Sequence, residues 1–149
     1  MENDQQLPDN NQQRPRMLTL LCILTFLGSG LSAFANLVLF AFYDLIHKMF
    51  EAGQFNLFKE QLDMESFKVL MDVDSGFFLF QGLLYLLSLS GAVMMWNLRK
   101  TGFHFYAVAQ ILLLIVYELY FTGAPFPLMP LIITIIFILL YFRNLKYLK

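Results

Sequence analysis

The sequence predicts an all-α membrane protein, built as an antiparallel four-transmembrane-helix bundle with an amphipathic helical loop on the extracytoplasmic side. Hydrophobic residues make up 58% of the 149 residues and charged residues only 14%, well under the roughly 25% that is typical of a soluble domain. Four stretches are apolar and long enough to cross about 30 Å of bilayer hydrocarbon at about 1.5 Å per helical residue. Two of the three connections between these stretches are short, which requires neighbouring spans to run antiparallel.

The first span is predicted at residues 17–43, which include no charged side chain. Arg14 and Arg16 precede this run and an A-x-A sequence occurs at residues 33–35, so a cleaved signal peptide is the alternative. The apolar run continues beyond the A-x-A sequence and is too long for the core of an ordinary signal peptide. A retained membrane helix is therefore favoured.

The remaining spans are predicted at residues 75–98, 103–122 and 126–143. The fourth span is the shortest, and Pro125, Pro127 and Pro130 fit its first turns, where a missing amide donor costs least. Residues 17–149 are thus expected to form a single transmembrane domain.

Two segments lie outside the spans. Residues 1–16 are polar and contain two prolines, so they cannot bury enough apolar surface to offset the entropy of ordering. They are predicted to form a disordered tail. Residues 44–74 form a loop in which apolar and charged side chains are mixed at roughly helical spacing, and this pattern predicts one or two amphipathic helices on the membrane surface.

The distribution of basic residues predicts the orientation. Seven of the ten lysines and arginines lie in three segments that an even number of crossings places on one side: Arg14, Arg16, Arg99, Lys100, Arg143, Lys146 and Lys149. The loop at 44–74 has three lysines and seven acidic residues. By the positive-inside rule, both termini are cytoplasmic and this loop lies outside.

Polar side chains recur at helical spacing within the spans. Because the hydrophobic effect cannot drive helices together in lipid, such residues are expected to face one another inside the bundle. The predicted helix-packing polar face consists of Thr25, Ser29, Ser32 and Asn36 in the first span, with Tyr85 and Ser88 in the second. Thr134 and Tyr141 share one face of the fourth span. The alternative is that the same groups line a polar pathway or a ligand pocket.

Glu118 is the one acidic residue within a span. A carboxylate in hydrocarbon normally faces the bundle and is paired, protonated or hydrated. Glu118, which lies near the outer end of its span, is therefore expected to reach the membrane interface or to bond to a tyrosine or to Gln81. The alternative is an ion or proton site formed by Glu118 with Gln110, Tyr117 and Gln81.

The loop at 44–74 is the predicted partner surface, since it combines apolar side chains with a net negative charge outside the bilayer. Its candidate residues are Phe58, Leu62, Asp63, Glu65, Phe67 and Leu70. The alternative is a helix that lies passively at the interface.

No motif for catalysis, metal or cofactor binding occurs. The sequence has no H-E-x-x-H, no G-x-S-x-G and no phosphate-binding glycine loop, and its two histidines, His47 and His104, are far apart. The single cysteine, Cys22, excludes a disulfide within the chain. A net charge of −1 with scattered basic residues argues against nucleic-acid binding. We therefore expect a non-enzymatic protein with no catalytic residues, no metal and no cofactor.

Residues 91–110, GAVMMWNLRKTGFHFYAVAQ, join a span that ends in Met-Trp to a basic turn, a glycine and an aromatic-rich span. In this feature the chain resembles the uncharacterised small four-span inner-membrane proteins of bacteria. The resemblance implies a location in the bacterial inner (cytoplasmic) membrane. Such proteins have no family catalytic residues, so the resemblance leaves activity open.

The sequence favours an accessory or assembly subunit of a larger membrane complex, whose partners are the lipid bilayer and other membrane proteins or further copies of itself. The alternative is a small oligomeric transporter or channel that uses Glu118 and the polar helix faces. A membrane enzyme that acts on lipid or quinone has the least support, because the catalytic motifs are missing.

Overall fold

The computed structural model describes residues 15–55, 63–121 and 127–149, and these residues form five α-helices and short 3-10 segments with no strand. The helices are α1 (Arg16–Glu51), α2 (Met64–Met71), α3 (Ser75–Trp96), α4 (Thr101–Tyr120) and α5 (Leu128–Asn144), followed by the 3-10 helix Leu145–Tyr147. Four of these, α1, α3, α4 and α5 with its 3-10 extension, are long and apolar enough to cross a membrane. The prediction of an all-helical chain with four helices of spanning length is confirmed, and it is consistent with an integral membrane protein.

α1 continues well beyond the predicted first span and ends at Glu51. Its 36 residues extend about 54 Å, whereas bilayer hydrocarbon is about 30 Å thick. No proline or glycine interrupts residues 44–51, and Gly53, with φ of 70°, takes the left-handed conformation that closes the helix. The helix therefore carries two turns into the segment predicted as the outer loop. The three other long helices begin and end within about two residues of the predicted spans, as is usual for helix boundaries.

α2 begins with a side-chain cap. The Asp63 carboxylate accepts hydrogen bonds from the amides of Glu65 and Ser66 and from the Ser66 hydroxyl, the last at 2.6 Å. The hydroxyl bond and the two amide bonds hold the pKa of Asp63 below its usual value. Because this pKa is depressed in the folded state, the cap is fully effective at neutral pH and is lost only as the pH falls through the lowered pKa.

The outer end of the structure, where α1 leaves the predicted span and α3 begins, is fastened by Tyr43. Its hydroxyl lies 2.7 Å from the carbonyl oxygens of both Met71 and Val73, so its single proton is shared between two acceptors. Beneath this contact, Val73, Phe77 and Phe78 form a buried cluster. α2 is thereby attached to the long helices and does not lie apart from them.

α3 packs along both α1 and α4, whereas α5 contacts α1 and α4 less extensively. The contact between α3 and α4 depends on two glycines. A Cβ atom added to Gly91 would lie 2.7 Å from the Gly102 carbonyl oxygen and from the Tyr106 amide nitrogen, and one added to Gly102 would collide with the Gly91 carbonyl oxygen. The two backbones are therefore in direct contact at this point.

The inner end brings together the starts of α1 and α4 and the ends of α3 and α5. Its buried cluster consists of Leu18, Leu21, Cys22, Met95, Phe103, Tyr106, Tyr141 and Leu148. The last residues of the chain are bound to the turn between α3 and α4: the Lys149 amide donates to the Leu98 carbonyl at 2.6 Å, and the Lys100 amide donates to the Lys149 carbonyl at 2.9 Å. The terminal backbone is thus part of the fold.

Candidate functional site

A chain of hydrogen bonds connects all four long helices near the middle of their length. The hydroxyls of Ser29 in α1 and Ser88 in α3 lie 2.9 Å apart. The Gln110 Nε2 atom in α4 donates to the Ser88 hydroxyl at 3.1 Å, and the Thr134 hydroxyl in α5 donates to Gln110 Oε1 at 3.4 Å. Each helix contributes one residue, and Gln110 uses both ends of its amide.

Two further polar contacts flank this chain. Toward the inner end, the hydroxyls of Thr25 and Tyr141 lie 2.8 Å apart and join α1 to α5. Toward the outer end, the Ser32 side chain in α1 lies near the Tyr85 side chain in α3. Polar contacts at three successive levels therefore link α1 to its neighbours, and the hydrogen bonds among them satisfy groups that would be costly to leave unpaired in an apolar setting.

The residues of the predicted helix-packing polar face differ in their burial and in whether they form hydrogen bonds between helices. Thr25, Ser29 and Ser88 are buried and hydrogen-bonded between helices. Ser32 and Tyr85 are half-buried. Asn36 donates from Nδ2 to the Ser32 carbonyl of its own helix at 2.8 Å. This hydrogen bond lies within α1 and does not join two helices.

Two cavities lie beside α5, where packing is loose. The α4 cavity, of about 140 Å³, is lined by α3, α4 and α5, and the α1 cavity, of about 200 Å³, is lined by all four long helices; both are open to the surface. Tyr85, Gln110 and Thr134 line both cavities. The hydrogen bond between Gln110 and Thr134 therefore lies at the boundary between the two cavities.

The predicted ion or proton site is assembled only in part. Gln81, Gln110 and Tyr117 all line the α4 cavity. Glu118 does not line it and is exposed on the surface of α4. One residue along a helix is a rotation of about 100°, so Glu118 points away from the direction that Tyr117 takes.

Some residues of the predicted partner surface pack within the protein, and others are exposed to solvent. The Phe67 ring lies 5.4 Å from the Phe50 ring and 5.1 Å from the Phe55 ring, and Leu70 packs against the outer cluster. Asp63 and Glu65 are exposed. Phe58 and Leu62 lie outside the described residues.

What this outer end exposes is mainly negative charge. Its exposed carboxylates in the described residues are Asp44, Glu51, Asp63, Glu65, Asp72 and Asp74, with Lys48 and Lys68 as the exposed lysines. Within the described part of the chain, these carboxylates make no ion pair with lysine or arginine, and the only one in contact with a basic group is Glu51, at 3.7 Å from His47 Nδ1. The carboxylates are thus open to outside charges.

The basic residues that predict the orientation lie at the inner end. Arg16, Arg99, Lys100, Arg143, Lys146 and Lys149 are all exposed there, and Arg14 lies outside the described residues. Arg143 and Lys146 line a cavity of about 180 Å³ between the end of α5 and Met17. Negative charge is therefore concentrated at the outer end and positive charge at the inner end.

Among the described residues, no group of three or more histidine, cysteine, aspartate or glutamate side chains could hold a metal ion. Of the residues that line the α4 cavity, the sequence did not single out Leu113 and Leu114, and it marked Pro127 and Pro130 only as residues of the first turns of the fourth span. Nothing in their pattern marks them as cavity residues, since each looks like an ordinary member of an apolar span. Comparison with protein-family models, with curated proteins and with solved structures finds no match for this chain.

Proposed function

We propose that this protein is a non-enzymatic accessory or assembly subunit of a larger membrane complex, inserted as an antiparallel four-helix bundle. The observation that carries the proposal is the outer end, where a two-turn extension of α1 and the attached α2 present six exposed carboxylates, none of them paired with a described lysine or arginine. This surface is ordered by Tyr43 and lies beyond the apolar part of the helices. A partner with basic residues would find it preformed.

Insertion in lipid is supported by the outward faces of the helices. Large apolar side chains are exposed along their length, including Leu27, Leu31, Phe34 and Met129, each at least two-thirds exposed. Contiguous apolar surface of this extent is rare on soluble monomers. In hydrocarbon, the exposure of such side chains costs no free energy.

The interior of the bundle favours a structural role over ion transport. The buried hydroxyls and the Gln110 amide are bonded to one another, and neither the α4 cavity nor the α1 cavity is lined by a charged residue in the described chain. Glu118, on which the transporter or channel alternative depends, is on the surface of α4. No specific observation in the described residues supports that alternative.

We further propose a bacterial inner-membrane location with both termini cytoplasmic, and cysteine labelling tests this topology. In a Cys22→Ala background, Gln54→Cys and Lys146→Cys place thiols at exposed positions of the outer and inner ends. In intact spheroplasts, an impermeant maleimide is expected to label residue 54 at once and residue 146 only after the membrane is permeabilised. The opposite order of labelling would reverse the proposed orientation.

Affinity purification in mild detergent tests the partner role. Asp44→Lys, Glu51→Lys and Glu65→Lys together reverse the charge of the outer end without altering the caps at Asp63 and Asp74. We expect the parent to retain a stoichiometric partner at about 0.15 M salt, and the triple variant to lose at least fourfold of it, since screening at this salt leaves contacts shorter than about 8 Å effective.

The matched control changes the charge of the same surface in the opposite direction. Lys48→Glu with Lys68→Glu makes the outer end more negative and is expected to retain the partner or to retain more of it. If the parent purifies with no other protein, or if both variants retain the partner equally, the outer end is not the docking surface and the proposed role is wrong.

A further inference from the structure

The α4 cavity contains a polar group that has no hydrogen-bond partner among the described residues. Gln81 is 7% exposed, lines this cavity and forms no hydrogen bond with any described residue. Every side-chain nitrogen or oxygen that is sealed off within the described structure does have a hydrogen-bond partner. The Gln81 amide must therefore reach open space, and the space beside it is the cavity. A buried amide in this condition favours any molecule that can bond to it.

The size and walls of the cavity indicate a flat ring. Its volume is about 140 Å³, close to the roughly 150 Å³ of an engineered protein cavity that accepts one benzene molecule. The walls are mainly apolar or aromatic, with Tyr85 and Tyr117 from the two facing helices, Pro130 from α5 and Pro127 from the residue before it. Tyr117 is itself stacked on Phe121 at 4.8 Å between ring centroids, which holds its ring in place. A planar ring would contact these surfaces on several sides.

The polar lining limits the chemistry further. The Gln110 amide is already bonded at both ends, to Ser88 and Thr134, so it is committed to the protein. Gln81 offers a carbonyl that accepts and an NH₂ group that donates. A hydroxyl group on a ring serves both functions with one atom, whereas a hydrocarbon serves neither and a ring carbonyl serves only the donor.

The position of the cavity indicates how the ligand arrives. The cavity lies against α5, the least extensively packed of the long helices, at the level between Gln110 and the outer end. In the bundle proposed above, this level is within the hydrocarbon, so a ligand comes from the lipid and its alkyl tail can remain there. No charged side chain lines the cavity in the described residues, which suits a neutral molecule.

We propose that the α4 cavity binds the hydroxylated ring of a lipid-soluble phenol or quinol, with Gln81 as the residue that recognises the hydroxyl. The second cavity, which adjoins at Tyr85, Gln110 and Thr134, is not part of this site. This binding is independent of the partner proposed at the outer end, because the two sites use different residues. The outer end offers carboxylates to a basic partner, whereas the α4 cavity suits a neutral ring.

The test measures how far each ligand raises the Tm of the full chain in lipid nanodiscs. The first two probes are 4-decylphenol and decylbenzene. The probes share ring and tail and differ only in the hydroxyl. From the concentration dependence of Tm, we expect 4-decylphenol to bind at least tenfold more tightly than decylbenzene. A third probe, 2-decylhydroquinone, distinguishes the two sources: equal affinity indicates a phenolic lipid, and tighter binding indicates a quinol.

Two variants locate the effect. Gln81→Met keeps the length of the side chain and removes its amide, and it is expected to reduce the preference for 4-decylphenol to less than about twofold, since an unpaired buried hydroxyl is strongly disfavoured. Leu114→Trp fills the cavity and is expected to abolish binding of all three probes. Ile115→Trp is the matched control, because its side chain is 47% exposed and does not line the cavity; it should bind like the parent.

Equal affinity of the parent for 4-decylphenol and decylbenzene would overturn the proposal. A preference for the phenol that survives in Gln81→Met would also overturn it, because the hydroxyl would then be recognised elsewhere. Since Gln81→Met introduces no added bulk, this second comparison holds even if Leu114→Trp fails to fold.

Discussion

Gly91→Ala and Gly102→Ala are each expected to destabilise the protein by about 3 kcal/mol or more, at the upper end of what overpacking usually costs. The added methyl group would meet backbone atoms, the Gly102 carbonyl and Tyr106 amide in one case and the Gly91 carbonyl and Met95 amide in the other. Backbone cannot move aside as a flexible side chain can. The helices α3 and α4 would have to separate along the contact that packs them together.

Reversible unfolding of the purified protein in mixed micelles, followed by far-ultraviolet circular dichroism, measures this loss. Gly28→Ala and Gly30→Ala are matched controls within α1, because no atom outside their own helix lies within 4 Å of the added Cβ. Their expected effect is zero or a gain of up to about 1 kcal/mol, from the higher helix propensity of alanine. If all four variants were equally stable, α3 and α4 would not be in the contact described.

Tyr141→Ala is expected to cost about 3–5 kcal/mol, the range found when a large buried aromatic side chain is truncated. Tyr141 is fully buried at the centre of the inner cluster, and its ring packs against that of Tyr106 at 4.9 Å between centroids. Removing the ring leaves a cavity among α1, α4 and α5. Since α5 has few other close contacts, this loss should free α5 before the other helices.

Tyr141→Phe separates packing from hydrogen bonding. It keeps the ring and removes the hydroxyl, whose bond to Thr25 at the average for membrane helices is about 0.6 kcal/mol. Phe142→Ala removes a neighbouring ring of similar size that is 61% exposed, so its expected cost is much smaller than that of Tyr141→Ala. Protease accessibility of the last turn of α5, measured beside global unfolding, should rise in Tyr141→Ala alone. A Phe142→Ala variant as unstable as Tyr141→Ala would contradict the burial assigned to Tyr141.

The four long helices could be predicted from the sequence because their signal is local. The length of an uncharged apolar run decides whether a helix can span hydrocarbon, and no distant contact is needed to recognise it. The same is true of spacing on one helix: steps of three and four residues put Thr25, Ser29 and Ser32 on one side of α1 wherever that side points. The unequal distribution of basic residues is likewise a property of the sequence alone.

The end of α1 was harder to place, for a reason that is also local. Residues 44–51 carry charge, which marks them as lying beyond the hydrocarbon, but charge does not stop a helix. Only the left-handed conformation at Gly53 does so. Hydropathy therefore predicts where a membrane span ends, and the turn residues determine where the helix itself ends.

Tertiary structure alone decided which polar groups meet. A rotation of one residue about the axis of α4 separates Tyr117, which lines the α4 cavity, from Glu118, which is on the surface. Sequence spacing fixes the angle between these two side chains but not which of them faces α3 and α5. That choice depends on the packing of all four helices, set at Gly91 and Gly102 by the direct contact of two backbones.

The same limit applies to the outer loop and to the end of the chain. Phe67 looks like a free apolar residue in the sequence, yet it packs against Phe50 and Phe55, because the extension of α1 brings those rings within reach. Lys149 pairs with the turn at Leu98 and Lys100 through backbone atoms that every residue type carries. The sequence determined the helices and the surfaces on which their polar residues lie. The rotation and close approach of the helices, which are non-local, decided which polar residues bond to each other, and they left Gln81 facing a cavity with no hydrogen-bond partner among the described residues.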